Sequence, residues 1–214
     1  MLKVLILDFD GVVVESTDIK TEAFRKLFSN YPKHVDAIVE YHKKHAGVSR
    51  YEKFSHIYEN IIKQPLKEEK MVELGKRFSA LVVDEIKMCP LVPGALEFLE
   101  KYSKKLKLFI ASSTPEEELL YLVEARGLQK YFHGMYGAPS KKSEITLRIM
   151  EKEGIKKKEA LFVGDSTADY MEAKKVGVPF IGRVVDLANA PFPSVKTVRD
   201  LNELSVIVEK LLCR

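Results

Sequence analysis

Cysteine is scarce. Cys89 and Cys213 are the two in 214 residues, and no short spacing joins them. A disulfide framework and a cysteine-based zinc site are excluded as organising features, and a reducing, cytoplasmic setting is expected. Long apolar runs are missing too: no segment approaches the ~20 residues that a membrane-spanning helix needs. The amino-terminal apolar run is too short for a secretory signal, and no small-residue cleavage pattern follows it. There is no internal repeat and no low-complexity tract. Charge of one sign is not concentrated either. The formal net charge is +4, with lysines and acids interleaved. The dense basic runs, Lys104-Lys105-Leu106-Lys107 and Lys156-Lys157-Lys158, each precede an expected strand and read as solvated turns. With no basic stripe and no apolar span, neither nucleic acid nor membrane is an expected partner, and nothing in the sequence sets an oligomeric state.

What is present is a chain with 46% hydrophobic and 31% charged residues, long enough for a core domain with a smaller companion. Residues 2–7 form an apolar run that reads as a buried strand. Asp8 and Asp10 follow it, two positions apart and ahead of Gly11. Carboxylates have no use inside a buried strand. At its carboxyl end, where open α/β sheets hold their ligands, they do. Two carboxylates this close repel, so they call for a shared positive charge. The alternative is a plain turn, since Asp before Gly is common in loops.

From 16 to 87 no convincing strand appears. Ile19, Ala23, Phe24, Leu27 and Phe28 mark one apolar helical stripe; Val35, Ile38 and Val39 mark a second. Gly47-Val48-Ser49-Arg50 breaks the pattern, and Ser49 is placed to cap a third helix carrying Phe54, Ile57 and Ile61. A fourth helix carries Met71, Leu74, Phe78 and Val82. After Pro93 strands and helices alternate. Strands are expected at 107–111, 132–136, 160–163 and 178–181. Helices are expected from Pro115 to near Gly127, at 142–153, at 168–175 and at 201–212, with Thr114 as an N-cap. Residues 186–198 read as irregular. The expectation is an α/β fold: a doubly wound, mostly parallel Rossmann-like sheet, residues 1–15 and 88–214, carrying an inserted all-helical cap, residues 16–87.

Polar residues then fall at the carboxyl ends of four expected strands: Asp8 and Asp10, Ser112 and Ser113, the loop holding Lys141 and Lys142, and Asp165 with Asp169. A parallel sheet brings those ends to one crevice. Asp8-Phe9-Asp10-Gly11-Val12, the strand ending in Ser112, Lys142 opening a helix, and Gly164-Asp165-Ser166-Thr167-Ala168-Asp169 resemble, in order, the four motifs of the haloacid dehalogenase-like phosphohydrolase superfamily. The helical insertion resembles the cap of its β-phosphoglucomutase and phosphoglycolate phosphatase group. The resemblance implies a Mg2+-dependent phosphatase acting on a small phosphorylated metabolite through an aspartyl-phosphate.

In that reading Asp8 is the nucleophile and Asp10 the general acid and base. Ser112 and Lys142 clamp the phosphoryl group; Lys141 is the alternative to Lys142. Asp8 and Asp165 give carboxylates to the metal, the resemblance adds the main-chain carbonyl of Asp10, and Asp169 orients the metal's waters or helps bind it. Ser166 and Asp169 also read as a helix-capping pair. Ser113, Arg50, Lys20 and Gly11 are the expected substrate contacts. For Ser113 the alternative is turn chemistry, and for Arg50 an exposed position near a helix start. Lys20 stands where the mutase pattern has a histidine, a departure that argues against mutase activity; a sugar phosphomutase of the same superfamily is the alternative expectation. Glu15 faces either the crevice or solvent. His34, His42, His45 and His56 read as polar surface of the cap. A signalling receiver domain would use similar residue types, but in another order and without a cap.

Overall fold

The computed structural model describes residues 1–192 and 194–213. Among them six strands form one sheet: β1 (Val4–Leu7), β2 (Lys107–Pro115), β3 (Gly134–Ala138), β4 (Ala160–Gly164), β5 (Phe180–Arg183) and β6 (Thr197–Val198). Their spatial order is β3-β2-β1-β4-β5-β6, and every neighbouring pair is parallel. β1 lies inside the sheet with all four residues buried, as a branched apolar strand covered on both faces must. Its side chains alternate. Leu5 and Leu7 join a core with Phe98, Leu122 and Leu204; Val4 and Ile6 join one with Ile145, Ile149 and Val176. A slip of one residue would exchange those faces, so the pairing register is firmly set.

Helices α1 (Thr17–Leu27), α2 (Val35–Lys44), α3 (Arg50–His56) and α4 (Glu68–Met88) lie between β1 and β2, with a π-helical turn, Ile57–Ile62, extending α3. Their interior is aromatic. Phe24, Phe28, Phe54 and Phe78 are all buried, and Phe24 packs edge-on to Phe78 at 5.0 Å between centroids. The stripe expected on the first helix is thus its inward face. α5 (Ala95–Tyr102) returns the chain to the sheet; α6 (Glu116–Ala125), α7 (Lys142–Glu153), α8 (Thr167–Val176) and α9 (Leu201–Leu212) complete the layers. The fold is the expected α/β sheet with an inserted helical block. No helix among the described residues is long and apolar enough to cross a membrane.

The insertion is entered and left side by side. Val14 bridges Leu91 in antiparallel fashion, the Glu15 N–H donates to the Pro90 carbonyl at 3.0 Å, and the Val92 N–H donates to the Val13 carbonyl at 3.0 Å.

Several boundaries differ from expectation. β2 runs on through Thr114, so Pro115 takes the N-cap position and the helix starts at Glu116. Along this stretch Ala111 pairs with Tyr136 and Pro115 with Ala138, four steps on β2 against two on β3. That bulge pushes three hydroxyl residues off the ladder. β3 and β5 each start two residues later than their apolar runs suggest. β6 is a two-residue strand inside the stretch read as irregular, where Pro193 lies outside the described residues.

Candidate active site

The chain moves from β1 to β2 and β3 on one side, then to β4, β5 and β6 on the other. The crevice at the carboxyl ends of β1 and β4 is therefore the topological switch point. Asp8 and Asp10 follow β1, Ser112 to Thr114 end β2, Lys142 opens α7, and Asp165 and Asp169 follow β4.

Asp8 is 3% exposed. Its Oδ2 accepts from Lys142 Nζ at 2.7 Å and its Oδ1 from the Phe9 N–H at 2.7 Å. Lys142 also donates to Asp169. An ammonium buried at the positive end of a helix is unfavourable alone. Burial presses its pKa down, but Asp169 and Asp8 outweigh burial and hold it above the ordinary lysine range. Lys141 sits at the N-cap and is exposed, so Lys142 is the lysine that reaches the crevice. Asp169 is fixed by its own helix start. Its Oδ2 accepts from the Ser166 N–H at 3.1 Å and Ser166 Oγ at 2.7 Å, while its N–H donates back to Ser166 Oγ at 3.2 Å. The capping pair read from sequence is present and buried.

Carboxylate oxygens of Asp8, Asp165 and Asp169 lie within 4.8 Å of one another. Burial pushes Asp8 up to about 7 against the pull of Lys142, with Asp169 and Asp10 adding to the rise. Burial, then Asp169 and Asp8, push Asp165 well above the carboxylate range. One ammonium does not neutralise three close acids. This all-oxygen set fits a hard divalent cation.

Asp10 turns elsewhere. Its Oδ1 accepts from Ser16 Oγ at 2.6 Å, its Oδ2 accepts from Thr114 Oγ1 at 2.9 Å, and Lys20 Nζ lies 2.5 Å from Oδ2. Burial alone would raise its pKa; Lys20 and the hydrogen bonds from Lys20, Ser16 and Thr114 win and hold it below the usual range. Its side chain stands outside the three-carboxylate cluster, which leaves its main-chain carbonyl for the metal role that the resemblance implied. Gly11 has φ +71°, and a Cβ there would lie 2.0 Å from Asp165 Oδ2. Its observed contribution is room for that carboxylate. Glu15 is half-buried and paired: Arg183 forks it at 2.5 and 2.9 Å and also donates to the Gly11 carbonyl at 3.1 Å. Ser112 is 1% exposed, and its Oγ accepts from the Thr114 N–H at 3.1 Å. Ser113 Oγ donates to the Gly47 carbonyl, at 2.5 Å.

That last bond is one of several ties between the core and the helical insertion. Lys20 on α1 reaches Asp10 and donates to Thr114 Oγ1 at 3.0 Å. Arg50 on α3 forks Glu118 on α6 at 2.6 and 2.9 Å, donates to Ser79 at 2.8 Å, and stacks on Phe78. Together they close a cavity of about 70 Å³, lined by Asp8, Asp10, Lys20, Arg50, Lys53 and Ser112 among others. Arg50 was expected either to meet substrate phosphate or to lie exposed. It is 5% exposed, and its guanidinium is committed to Glu118. The histidines were expected at the surface. His42 corrects that: it is buried, stacked on Phe24 at 4.2 Å, and its Nδ1 lies 3.2 Å from Lys53 Nζ.

Comparison with known proteins follows the same lines. The model of the haloacid dehalogenase-like hydrolase family matches residues 5–183, which takes in every motif residue above. The chain belongs to the haloacid dehalogenase-like hydrolase family. Among its relatives is a phosphorylated carbohydrates phosphatase of Thermotoga maritima, 30% identical over 197 residues, covering 88% of each chain. A phosphoglycolate phosphatase of Aquifex aeolicus is 27% identical over 82% of each. The solved β-phosphoglucomutase of Clostridium difficile superposes over 100% of each chain with TM-score 0.77 at 20% identity, a likeness of fold.

Several residues of this haloacid dehalogenase-like hydrolase were not singled out from sequence. Thr114 read as a helix cap, and the bulge that redirects it to Asp10 leaves no local signature. Glu118 is one of three acids in the first turn of α6, a placement that the positive helix end alone accounts for. Ser16 was marked only as the first residue of the insertion. Lys53 and His42 are eleven residues apart on different helices and meet only in three dimensions.

Proposed function

We propose that this hydrolase cleaves a small phosphomonoester with Mg2+ through an aspartyl-phosphate on Asp8. One observation carries the reading: Asp8 stands in a buried carboxylate cluster with Lys142, while Asp10, two residues on, is held apart by Ser16, Thr114 and Lys20. Nucleophile and proton carrier are thus separately environed, as the two halves of the reaction require.

Asp8 and Asp165 would hold the ion through carboxylates and Asp10 through its main-chain carbonyl, with Asp169 orienting coordinated water. Bound there, the ion offsets the negative charge of the phosphoryl oxygens. In the first step a carboxylate oxygen of Asp8 attacks phosphorus, and the bond from phosphorus to the leaving oxygen breaks. Asp10 donates its proton to that oxygen. In the second step Asp10 takes a proton from water as the water oxygen attacks phosphorus, and the bond to Asp8 breaks. Lys142 and Ser112 are placed to bind phosphoryl oxygens, with Ser113 beside them. The cavity has room for only a handful of waters, which suits a short substrate. Lys20 rather than a histidine faces Asp10, which favours hydrolysis over sugar phosphate mutation.

The test is release of inorganic phosphate from an aryl phosphate and from a panel of phosphorylated metabolites, with and without Mg2+. Wild type releases phosphate in the presence of the ion, and Asp8→Asn, folded by circular dichroism, does not. Equal release by both proteins refutes the reading.

A further inference from the structure

Three cations reach the cavity from the helical insertion: Lys20, Arg50 and Lys53. Lys20 is taken by Asp10, and Arg50 by Glu118 and Ser79. Lys53 differs. It is 3% exposed, and among the described residues no carboxylate lies within ion-pair distance of it. The hydrogen-bond contact of its Nζ is with His42 Nδ1 at 3.2 Å, and the ring of Phe24 lies 5.6 Å away. A buried ammonium with no counter-charge is costly, and chains keep one where a ligand supplies the missing charge.

The surroundings are built to present it. His42 is wedged against Phe24 and buried, and burial, followed by the charges of Lys53, Lys20 and Lys43, pushes its pKa down to about 2. A neutral ring can accept at Nδ1 from the Lys53 ammonium, which has only donors to offer. Burial pulls Lys53 itself down to about 7. Lys20 and Arg50 add to the fall, and Asp165 and Asp10 oppose it. The reacting phosphoryl group has its own partners on the core wall, in Lys142 and Ser112. Lys53 stands on α3, in the wall that the insertion contributes.

We propose that Lys53, steadied by His42, is the receptor for a second anionic group on the substrate, so that the chain acts on a short phosphomonoester bearing a carboxylate or a second phosphate. The proposal rests on the phosphomonoesterase reading above. Lys53 is a specificity residue: it binds the end of the substrate that does not react. Arrival of the second anion also recharges Lys53, so binding takes up a proton at mildly alkaline pH.

The experiment compares three substrates with Mg2+: ethyl phosphate, whose tail is neutral; phosphoglycolate, whose tail is a carboxylate; and propane-1,3-diol bisphosphate, whose tail is a phosphate. Wild type should prefer at least one anionic tail over the neutral one by about tenfold or more in kcat/KM, an increment typical of one charged contact. Whichever tail is preferred identifies the anion. In Lys53→Met that ratio should fall to near one, and in Lys53→Arg it should largely survive. A wild type that does not discriminate, or a Lys53→Met enzyme that keeps the ratio, overturns the proposal. If wild type hydrolyses none of the three, the phosphomonoesterase reading fails on its own, and the anion site is decided by calorimetry on Asp8→Asn. At about pH 8, phosphoglycolate should take up about one proton more than ethyl phosphate does, and the excess should vanish when Lys53→Met is added. No excess, or an excess that survives Lys53→Met, overturns the site.

Discussion

Asp8 and Asp10 leave the same strand two residues apart, yet their environments push them in opposite directions. Asp8 is raised to about 7 by burial and by its acidic neighbours, and Asp10 is lowered by Lys20 and three hydrogen bonds. Asp8 must be ionised to attack, so a bound cation has to offset that rise, whereas Asp10 is set as the carboxylate that takes a proton from water in the second step. Asp10→Asn should reduce kcat by about 10²–10⁴-fold, the usual worth of a positioned proton carrier. Lys20→Met removes the leading influence that holds Asp10 down, so burial then dominates and its pKa rises. Asp10 must be ionised in the second step, so the acidic limb of the dephosphorylation rate, read in single turnovers, should move to higher pH in Lys20→Met; an unmoved limb would remove Lys20 from the control of Asp10. Much of this site was legible in the sequence. Asp8, Asp10, Ser112, Lys142, Asp165 and Asp169 stand at strand ends or helix starts, where linear order predicts position. Glu118, Thr114 and the Lys53–His42 contact were not legible: Glu118 depends on how the insertion sits over the core, Thr114 on the β2 bulge, and the Lys53–His42 contact on how α2 packs against α3.

At the scale of elements, the Arg50–Glu118 fork joins α3 to α6 with both side chains under a tenth exposed. Removing one partner of a buried pair strands the other and costs about 3–5 kcal/mol. Arg50→Ala and Glu118→Ala should each lower the urea midpoint by such an amount, and the double variant should lose less than the sum. Additive losses would mean that the fork does not couple the two elements. The loop before α3 makes a second contact. Gly47 has φ +79°, and a Cβ there would lie 2.1 Å from Ser166 Oγ. Gly47→Ala should therefore lift this loop from the core and raise KM several-fold while the melting temperature changes by only a few degrees. An unchanged KM would show that the loop does not close on substrate. Capping chemistry marked several helix ends, as at Ser49, Ser166, Gly154 and Gly177, but misled at Thr114, where the strand runs on. The β2 bulge and the two-residue β6 were not. A bulge is set by the partner strand, and two residues carry no periodicity.

For the whole molecule, the carboxylate cluster ties stability to pH and to metal. Acids raised in the fold hold protons that the unfolded chain has already lost. Stability should thus fall as pH rises from near the ordinary 3.8 towards about 7, where Asp8 titrates. Without metal, Asp165→Asn should melt a few degrees above wild type at about pH 8 and no higher at about pH 4, since 1 kcal/mol is worth about 2–4 °C in a chain of this size. Mg2+ should raise the melting temperature of wild type at the higher pH and leave that of Asp165→Asn nearly unmoved. A wild type indifferent to the ion would remove the cluster as its site. One feature reaches beyond chemistry. The segments that lead into and out of the helical block meet at Val14 and Leu91, so its two ends stand about 5 Å apart in an antiparallel bridge. A segment whose ends nearly touch is exchangeable as a cassette. A chimera carrying another relative's helices between these two points should keep the reaction and inherit the donor's diet.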